Sequence, residues 1–307
     1  MTVAGAAVRP DRIARGIAFI LLSTFCTASQ DAIFKYASAD LTLWQLYVLR
    51  SLFVIPVFLV IASLWGEGLG AWHQSLRLWP MTRAMLFVLM FFSMYAAIPI
   101  LPLTAIAAGL YTAPLFIAAL SPVLLREPLR WRGALGIAVG FAGVLVILRP
   151  GTEAFTWLML LPVLGGLFYA LSAIVTRSKC RTVAPSTLSL SLAIALLITG
   201  VVASIWLQAH QFTAEQVAIS PFLLGSWNAL GVWEWGFIAV LAALMAGNGL
   251  VLPAAYQSAP SVIIATFDYT YLIFATLLGI VVFGNIPDLQ TIIGIAMIAG
   301  AGLIVAR

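Results

Sequence analysis

Residues 96–147, AAIPILPLTAIAAGLYTAPLFIAALSPVLLREPLRWRGALGIAVGFAGVLVI, and residues 254–305, AAYQSAPSVIIATFDYTYLIFATLLGIVVFGNIPDLQTIIGIAMIAGAGLIV, decide the fold. Laid over one another at a shift of 158 residues, they align without gaps. Pro102 falls on Pro260, Tyr111-Thr112 on Tyr269-Thr270, Phe116 on Phe274, and Gly136-Ile137-Ala138 on Gly294-Ile295-Ala296. Alanine and isoleucine matches come cheaply in so apolar a chain, so the proline, tyrosine and threonine matches carry the weight.

Both stretches are too apolar for water. Across 307 residues the chain is 63% hydrophobic and 8% charged, where a soluble domain carries about 25% charged residues. Most of the surface must therefore face lipid, and the net charge of +5 is read as membrane orientation rather than as a nucleic-acid footprint. A bilayer core takes about 20 mostly apolar residues per helix. Spans of that kind are expected at 13–36, 43–64, 80–98, 103–125, 131–148, 156–176, 186–207, 235–256, 261–282 and 289–306. The reading is an all-α integral membrane protein of ten spans. Arg9, Arg12 and Arg15 before an apolar run have the charge pattern of a signal peptide, but the run continues to Tyr36, and an uncleaved first span is expected.

The basic residues alternate in side. With the N-terminus in the cytoplasm, twelve of the fifteen lysines and arginines fall on the cytoplasmic side: Arg9, Arg12, Arg15, Arg77, Arg83, Arg126, Arg130, Arg132, Arg177, Lys179, Arg181 and Arg307. Arg149 and Lys35 fall on the outer side and Arg50 within the membrane. The expectation is a multi-pass protein of the cell (inner) membrane with both termini cytoplasmic. Five spans per copy is an odd number, so the second copy enters the membrane inverted. Inverted repeats with a site between them mark alternating-access carriers.

Ionisable residues inside a bilayer are costly and face partners or wet cavities. Ser23, Thr27, Gln30, Asp31 and Lys35 line one face of the first span at spacings of three and four. Asp31 and Arg50 lie at similar depth, roughly 10 Å inside. They form either an ion pair that fixes the first two spans or a pair of substrate contacts. Asp268 lies roughly 12 Å from the cytoplasmic edge, with no lysine or arginine evident at that depth. It is read as a proton-exchange site, a contact for an ammonium-bearing substrate, or an acid bonded to a neighbouring tyrosine or backbone group. Tyr111 in one copy and Tyr269 in the other, with Tyr271 beside the latter and Tyr95 in the third span, offer ring faces and hydroxyls to a pocket, against the plainer reading of packing. Tyr169, Ser172 and Asn248 either line the cavity or bond across helices.

Glycines recur in the fifth span (Gly133, Gly136, Gly140, Gly143), and small residues recur in the tenth. Both are read as close-packing faces, a homodimer being one use for them. Cys26 and Cys180 occupy separate places, so neither a disulfide nor a metal site is expected. Intramembrane enzyme chemistry has thin support, because His73 and His210 sit in loops and no H-E-x-x-H run exists. No G-x-x-x-x-G-K-[ST] run for an ATP-driven pump is present either, and no cofactor is expected beyond coupling to protons. A channel is the remaining alternative.

The chain resembles the drug/metabolite transporter superfamily in its EamA branch. The likeness is carried by Gln30-Asp31-Ala32 with Lys35-Tyr36, Leu49-Arg50-Ser51, Tyr111 through Phe116 leading to Arg126-Glu127-Pro128, Asp268-Tyr269-Thr270, and Phe283 to Asp288 before the small-residue tenth span. The resemblance implies ten helices in two inverted five-helix EamA repeats, here 13–149 and 155–307 after a tail at 1–12. It also implies a central cavity that binds a small-molecule metabolite in a protein partnered by membrane lipid. Relatives move amino acids, nucleotide-like metabolites, vitamins or S-adenosylmethionine. An amino acid or derivative is the first expectation, and S-adenosylmethionine or a nucleotide-like metabolite the alternative; the first span and the surroundings of Asp268 are similar to the S-adenosylmethionine-transporter-like branch. One departure stands out: the second half reads Asn285-Ile286-Pro287, with no acid before the proline, where the first half has Glu127.

Overall fold

The computed structural model describes residues 12–37, 41–68, 70–97, 109–148, 158, 160–210, 212–283 and 289–306. Every regular element among them is helical, as lipid requires of a chain whose backbone groups must be satisfied within the segment. In chain order the helices are α1 (Ile13–Ala37), α2 (Leu43–Leu64), α3 (Gly70–Ser75), α4 (Leu78–Ala97), α5 (Ala113–Leu124), α6 (Trp131–Leu148) and α7 (Leu160–Ser178). They continue as α8 (Pro185–Ala209), α9 (Ala214–Ile219), α10 (Pro221–Leu224), α11 (Val232–Ser258), α12 (Ser261–Asp268), α13 (Thr270–Phe283) and α14 (Leu289–Ala306).

Among the described residues, six stretches are long and apolar enough to cross a membrane: Ile13–Ile33, Leu43–Leu64, Leu160–Ser178, Pro185–Ala209, Val232–Ser258 and Ser261–Val282. Four shorter apolar helices, Leu78–Met94, Ala113–Leu124, Trp131–Val146 and Ile292–Ile304, fall at the remaining expected positions. The ninth expected span is not one helix. It is α12 and α13, separated at Tyr269. The fourth is interrupted at the corresponding place: Gly109 and Leu110 are helical, Tyr111 and Thr112 form a turn, and α5 begins at Ala113.

Packing pairs each helix with a definite neighbour. α1 lies along α11 and α4 along α7; α2 lies along α8 and α6 along α14; α5 contacts α7 and α12, while α1 contacts α12 and α13. Small residues set some of these approaches. A Cβ on Gly143 would come within 2.9 Å of the Gly294 carbonyl and 3.0 Å of Met297, so glycine lets the α6 and α14 backbones close together. Two apolar clusters fill the bundle. One joins α2, α4, α8 and α11 through Phe58, Val88, Leu190 and Met245. The other joins α1, α5, α7, α11 and α12 through Ile20, Ile117, Ala170, Tyr256 and Ile264.

The long connection expected near 208–234 carries α9 and α10. A capping box between Thr213 and Gln216 starts α9. The segment is tied to the start of α2, where Trp44 Nε1 donates to the Leu223 carbonyl at 2.7 Å and Gln45 exchanges two bonds with the Asn228 backbone, at 2.8 and 3.1 Å.

Candidate functional site

The two helix breaks are built alike. At the first, Thr112 turns its hydroxyl back to the Gly109 carbonyl at 2.5 Å. At the second, Thr270 does the same to the Phe267 carbonyl at 2.7 Å. A threonine hydroxyl that takes a carbonyl three residues back competes with the helical ladder, which suits the points where these helices stop. Close neighbours support each break. Pro162 of α7 packs onto Gly109, and Gly166 has room for no Cβ, which would lie 2.8 Å from Thr112 Oγ1. On the other side, Thr24 of α1 shares a hydrogen bond with Thr270 at 3.0 Å.

The breaks bring three tyrosines together. The Tyr111 ring centroid lies 6.2 Å from that of Tyr269 and 5.7 Å from that of Tyr271, with interplanar angles of 40° and 38°. These are distances at which aromatic rings attract one another. Tyr269 is fully buried against Val144, Leu272 and Ile298. Gly140 makes room for it, because a Cβ there would sit 2.6 Å from the ring. Tyr269 therefore backs the cluster, while Tyr111 and Tyr271 remain partly accessible.

Charged groups lie close to the rings. The Tyr271 hydroxyl donates to Asp31 Oδ2 at 2.6 Å, joining α13 to α1. Asp31 thus bonds across the bundle from α1 to α13. The Arg50 guanidinium is an opposite charge that acts on Asp31. Tyr111 feels both Asp31 and Asp268. Asp268, the last residue of α12, has Tyr169 of α7 as its hydrogen-bond partner. The Tyr169 ring in turn meets Tyr256 at 6.5 Å and Phe87 at 5.8 Å, both edge-on. Asn248 accepts from Ser23 at 2.6 Å and donates to Thr27 at 3.1 Å, so that part of the α1 polar stripe bonds to α11. Tyr95 lies in α4 and Lys35 in α1, but their side chains are outside the described residues.

Two features went unread in the sequence. Arg83, counted as an interfacial charge, is only 2% exposed within α4. It donates from Nε to Thr176 at 2.8 Å and from Nη1 to the Leu188 carbonyl at 3.2 Å, with its guanidinium 4.8 Å from the Phe87 ring centre. It thereby ties α4 to α7 and α8; its place five residues after Leu78 was the available signal. The second is an ion pair of 2.7 Å between Glu127 Oε1 and Arg177 Nε. Nearby, Cys180 is buried in the α7–α8 turn, and burial pushes its thiol up to about 11, with the Arg83 guanidinium pulling the other way. Among the described residues no His, Cys, Asp and Glu cluster could hold a metal ion.

Residues 14–149 match the EamA-like transporter family. Over 95% of the chain and 88% of the relative, the sequence is 28% identical to a riboflavin transporter of Rhizobium johnstonii. It is 25% identical to a riboflavin transporter of Brucella anthropi, over 88% of each chain. With an S-adenosylmethionine uptake transporter of Rickettsia bellii it shares 24% identity over 94% of this chain and 92% of that one. A solved crystal structure with 17% sequence identity superposes with a TM-score of 0.75, covering 95% of this chain and 96% of the other, and so shares the fold. Apolar helices able to span a bilayer, charges and tyrosines gathered at two helix breaks, and these matches lead to one conclusion: this is a multi-pass membrane protein that matches the EamA-like transporter family over residues 14–149 and is similar along most of its length to small-molecule transporters.

Proposed function

We propose that the protein is a secondary carrier, working by alternating access, for a small metabolite that bears a flat heteroaromatic ring and a polar side group. The observation that carries this reading is the tyrosine cluster at the two helix breaks, with Asp31, bonded to Tyr271 and acted on by Arg50, and Asp268 close enough to act on Tyr111. Ring faces at Tyr111 and Tyr271 suit stacking on a planar heterocycle, while the carboxylates and the guanidinium suit polar groups at its edge. An amino acid, the first expectation from sequence, would leave the ring faces little to do.

The architecture in this reading is ten membrane passages in two inverted halves, 13–149 and 155–307, with both termini cytoplasmic in the inner membrane. Three observations support it. The breaks occur at Tyr111-Thr112 and Tyr269-Thr270, separated by the same 158 positions as the sequence echo. The pairing of α1 with α11 mirrors that of α4 with α7. The pairings of α2 with α8 and α6 with α14 each join equivalent helices. Discontinuous helices at a repeat interface near mid-membrane are where such carriers hold their cargo.

Riboflavin is the first compound to test, because relatives named for it cover most of the chain. S-adenosylmethionine is the second. It too carries a heterocycle, and its cationic groups would find Asp31 and Asp268; relatives named for its uptake also align along the chain. The test is counterflow of labelled riboflavin, S-adenosylmethionine and a mixture of amino acids in proteoliposomes. Saturable exchange of a ring-bearing compound supports the reading. Exchange of amino acids alone overturns it.

A further inference from the structure

Glu127 follows α5 in the turn before α6, and its carboxylate joins three parts of the chain. Oε1 accepts from Arg177 Nε at the end of α7 at 2.7 Å, and Oε2 accepts the backbone N–H of Ser261, the first residue of α12, at 3.1 Å. Arg177 also donates to the Gln257 carbonyl at 3.3 Å. The Gln257 amide donates to the carbonyls of Cys180 and Val183 at 2.6 and 2.7 Å. The backbone is bent to achieve this. Arg126 has φ 55°, a left-handed conformation that is unfavourable for a side-chain-bearing residue. The carboxylate is thus held at the N-terminus of a helix, where negative charge is favourable.

α12 is a short rod. Its eight residues span about 12 Å, from the Glu127 junction to Asp268 and the break at Tyr269. α12 packs into an apolar cluster with Ile20, Ile117, Ala170 and Ala259, to which it contributes Ile264 and Ala265. A rod with a break at one end and a carboxylate bound to its first N–H at the other has a natural pivot and a natural catch. We infer that α12 is the moving element of one gate of the carrier, hinged at Asp268–Thr270, and that Glu127 and Arg177 are the positioning residues that hold this gate shut. The catch is one-sided by sequence: the position that echoes Glu127 at a shift of 158 is Asn285, which carries no charge. Asn285 lies outside the described residues. The inference rests on the carrier reading, but its test needs no substrate.

The native Cys180 reports the state of the catch, because it is buried and its carbonyl is held by Gln257. In the full chain with Cys26→Ser, reconstituted in lipid nanodiscs, the rate of maleimide modification at Cys180 is measured for Glu127→Gln and Ser261→Pro. The second variant deletes the N–H that Glu127 accepts, together with a buried hydroxyl that makes no hydrogen bond among the described residues. Proline is tolerated at the first helical position, and Pro260 at φ −55°, ψ 137° already has the extended conformation required before proline. Each variant is expected to speed modification about tenfold, the loss of one charge-assisted hydrogen bond, and the double variant no more than the faster single. Hydrogen exchange should rise in α12 and the end of α11 but not in α6 and α14. Unchanged modification in both variants, multiplication of the two effects in the double variant, or exchange that rises equally in α6 and α14 would each overturn the inference. A carrier whose cargo proves not to be a ring-bearing compound leaves these results unaffected.

Discussion

Tyr111 and Tyr269 lie 158 positions apart in the chain and 6.2 Å apart between ring centres. Each sits at the point where its helix breaks, and each is followed by a threonine whose hydroxyl folds back three residues. A short distance between repeat-equivalent residues places them on either side of the axis that would relate two inverted halves. The two tyrosines are not equal in environment: Tyr269 is sealed and Tyr111 is partly open.

That difference separates their substitutions. Tyr111→Leu should raise the half-saturating substrate concentration about tenfold, the scale of one lost aromatic contact, with the melting temperature nearly unchanged. Tyr269→Leu should chiefly lower the melting temperature, since it empties a packed site. Flux and thermal unfolding measured on the same preparations check both. Equal loss of affinity without loss of stability in the two variants would contradict the assignment.

Gly140 supplies the space that Tyr269 fills, with only 2.6 Å to the ring from an added Cβ. Gly140→Ala should destabilise the protein by about 1–3 kcal/mol and weaken substrate binding as the cluster shifts. Gly300, also helical but with open space around it, is the control: Gly300→Ala should be neutral or stabilising by about 0.4–1 kcal/mol. Thermal melts of the two variants side by side decide the matter.

How far the sequence could be read follows from which signals are periodic. The apolar runs were long, and α2, α6 and α14 begin and end where hydropathy ends them. The breaks were invisible, because Tyr269 and Thr270 are apolar enough to continue a span and what ends the helix is a hydroxyl bond and a close neighbour. Asp31 and Arg50 were expected at similar depth, and the Arg50 charge acts on Asp31, but the short connection does not make their helices packing neighbours: α1 lies along α11 and α2 along α8. The Asp31 partner Tyr271 could not be paired, because it comes from 240 residues away. The Glu127 junction was missed for the same reason: its acceptors and donors come from three separate turns.

The Tyr271 hydroxyl bond to Asp31, at 2.6 Å, ties α13 to α1. Tyr271→Phe removes the donor and leaves the ring. The expected result is a three- to tenfold loss of transport efficiency, the scale of a hydrogen bond to a charged group. Asp31→Asn should cost more, because Arg50 then loses its nearby opposite charge. Transport equal in both variants would argue that the bond is structural only.

Asp268 is held by Tyr169, and among the described residues no lysine or arginine pairs with it. Asp268→Asn should keep counterflow but abolish accumulation driven by an imposed pH gradient, because the amide has no proton to exchange. Gradient-driven uptake and counterflow in the same vesicles separate these steps. Retained accumulation would remove Asp268 from coupling.

The most direct measurement is riboflavin counterflow in proteoliposomes carrying the wild-type chain or Tyr111→Leu, with S-adenosylmethionine and amino acids as parallel cargoes. The account predicts saturable exchange of a ring-bearing compound by the wild type and about tenfold weaker half-saturation in the variant. Exchange that does not saturate, or that the loss of the Tyr111 ring leaves untouched, would contradict it.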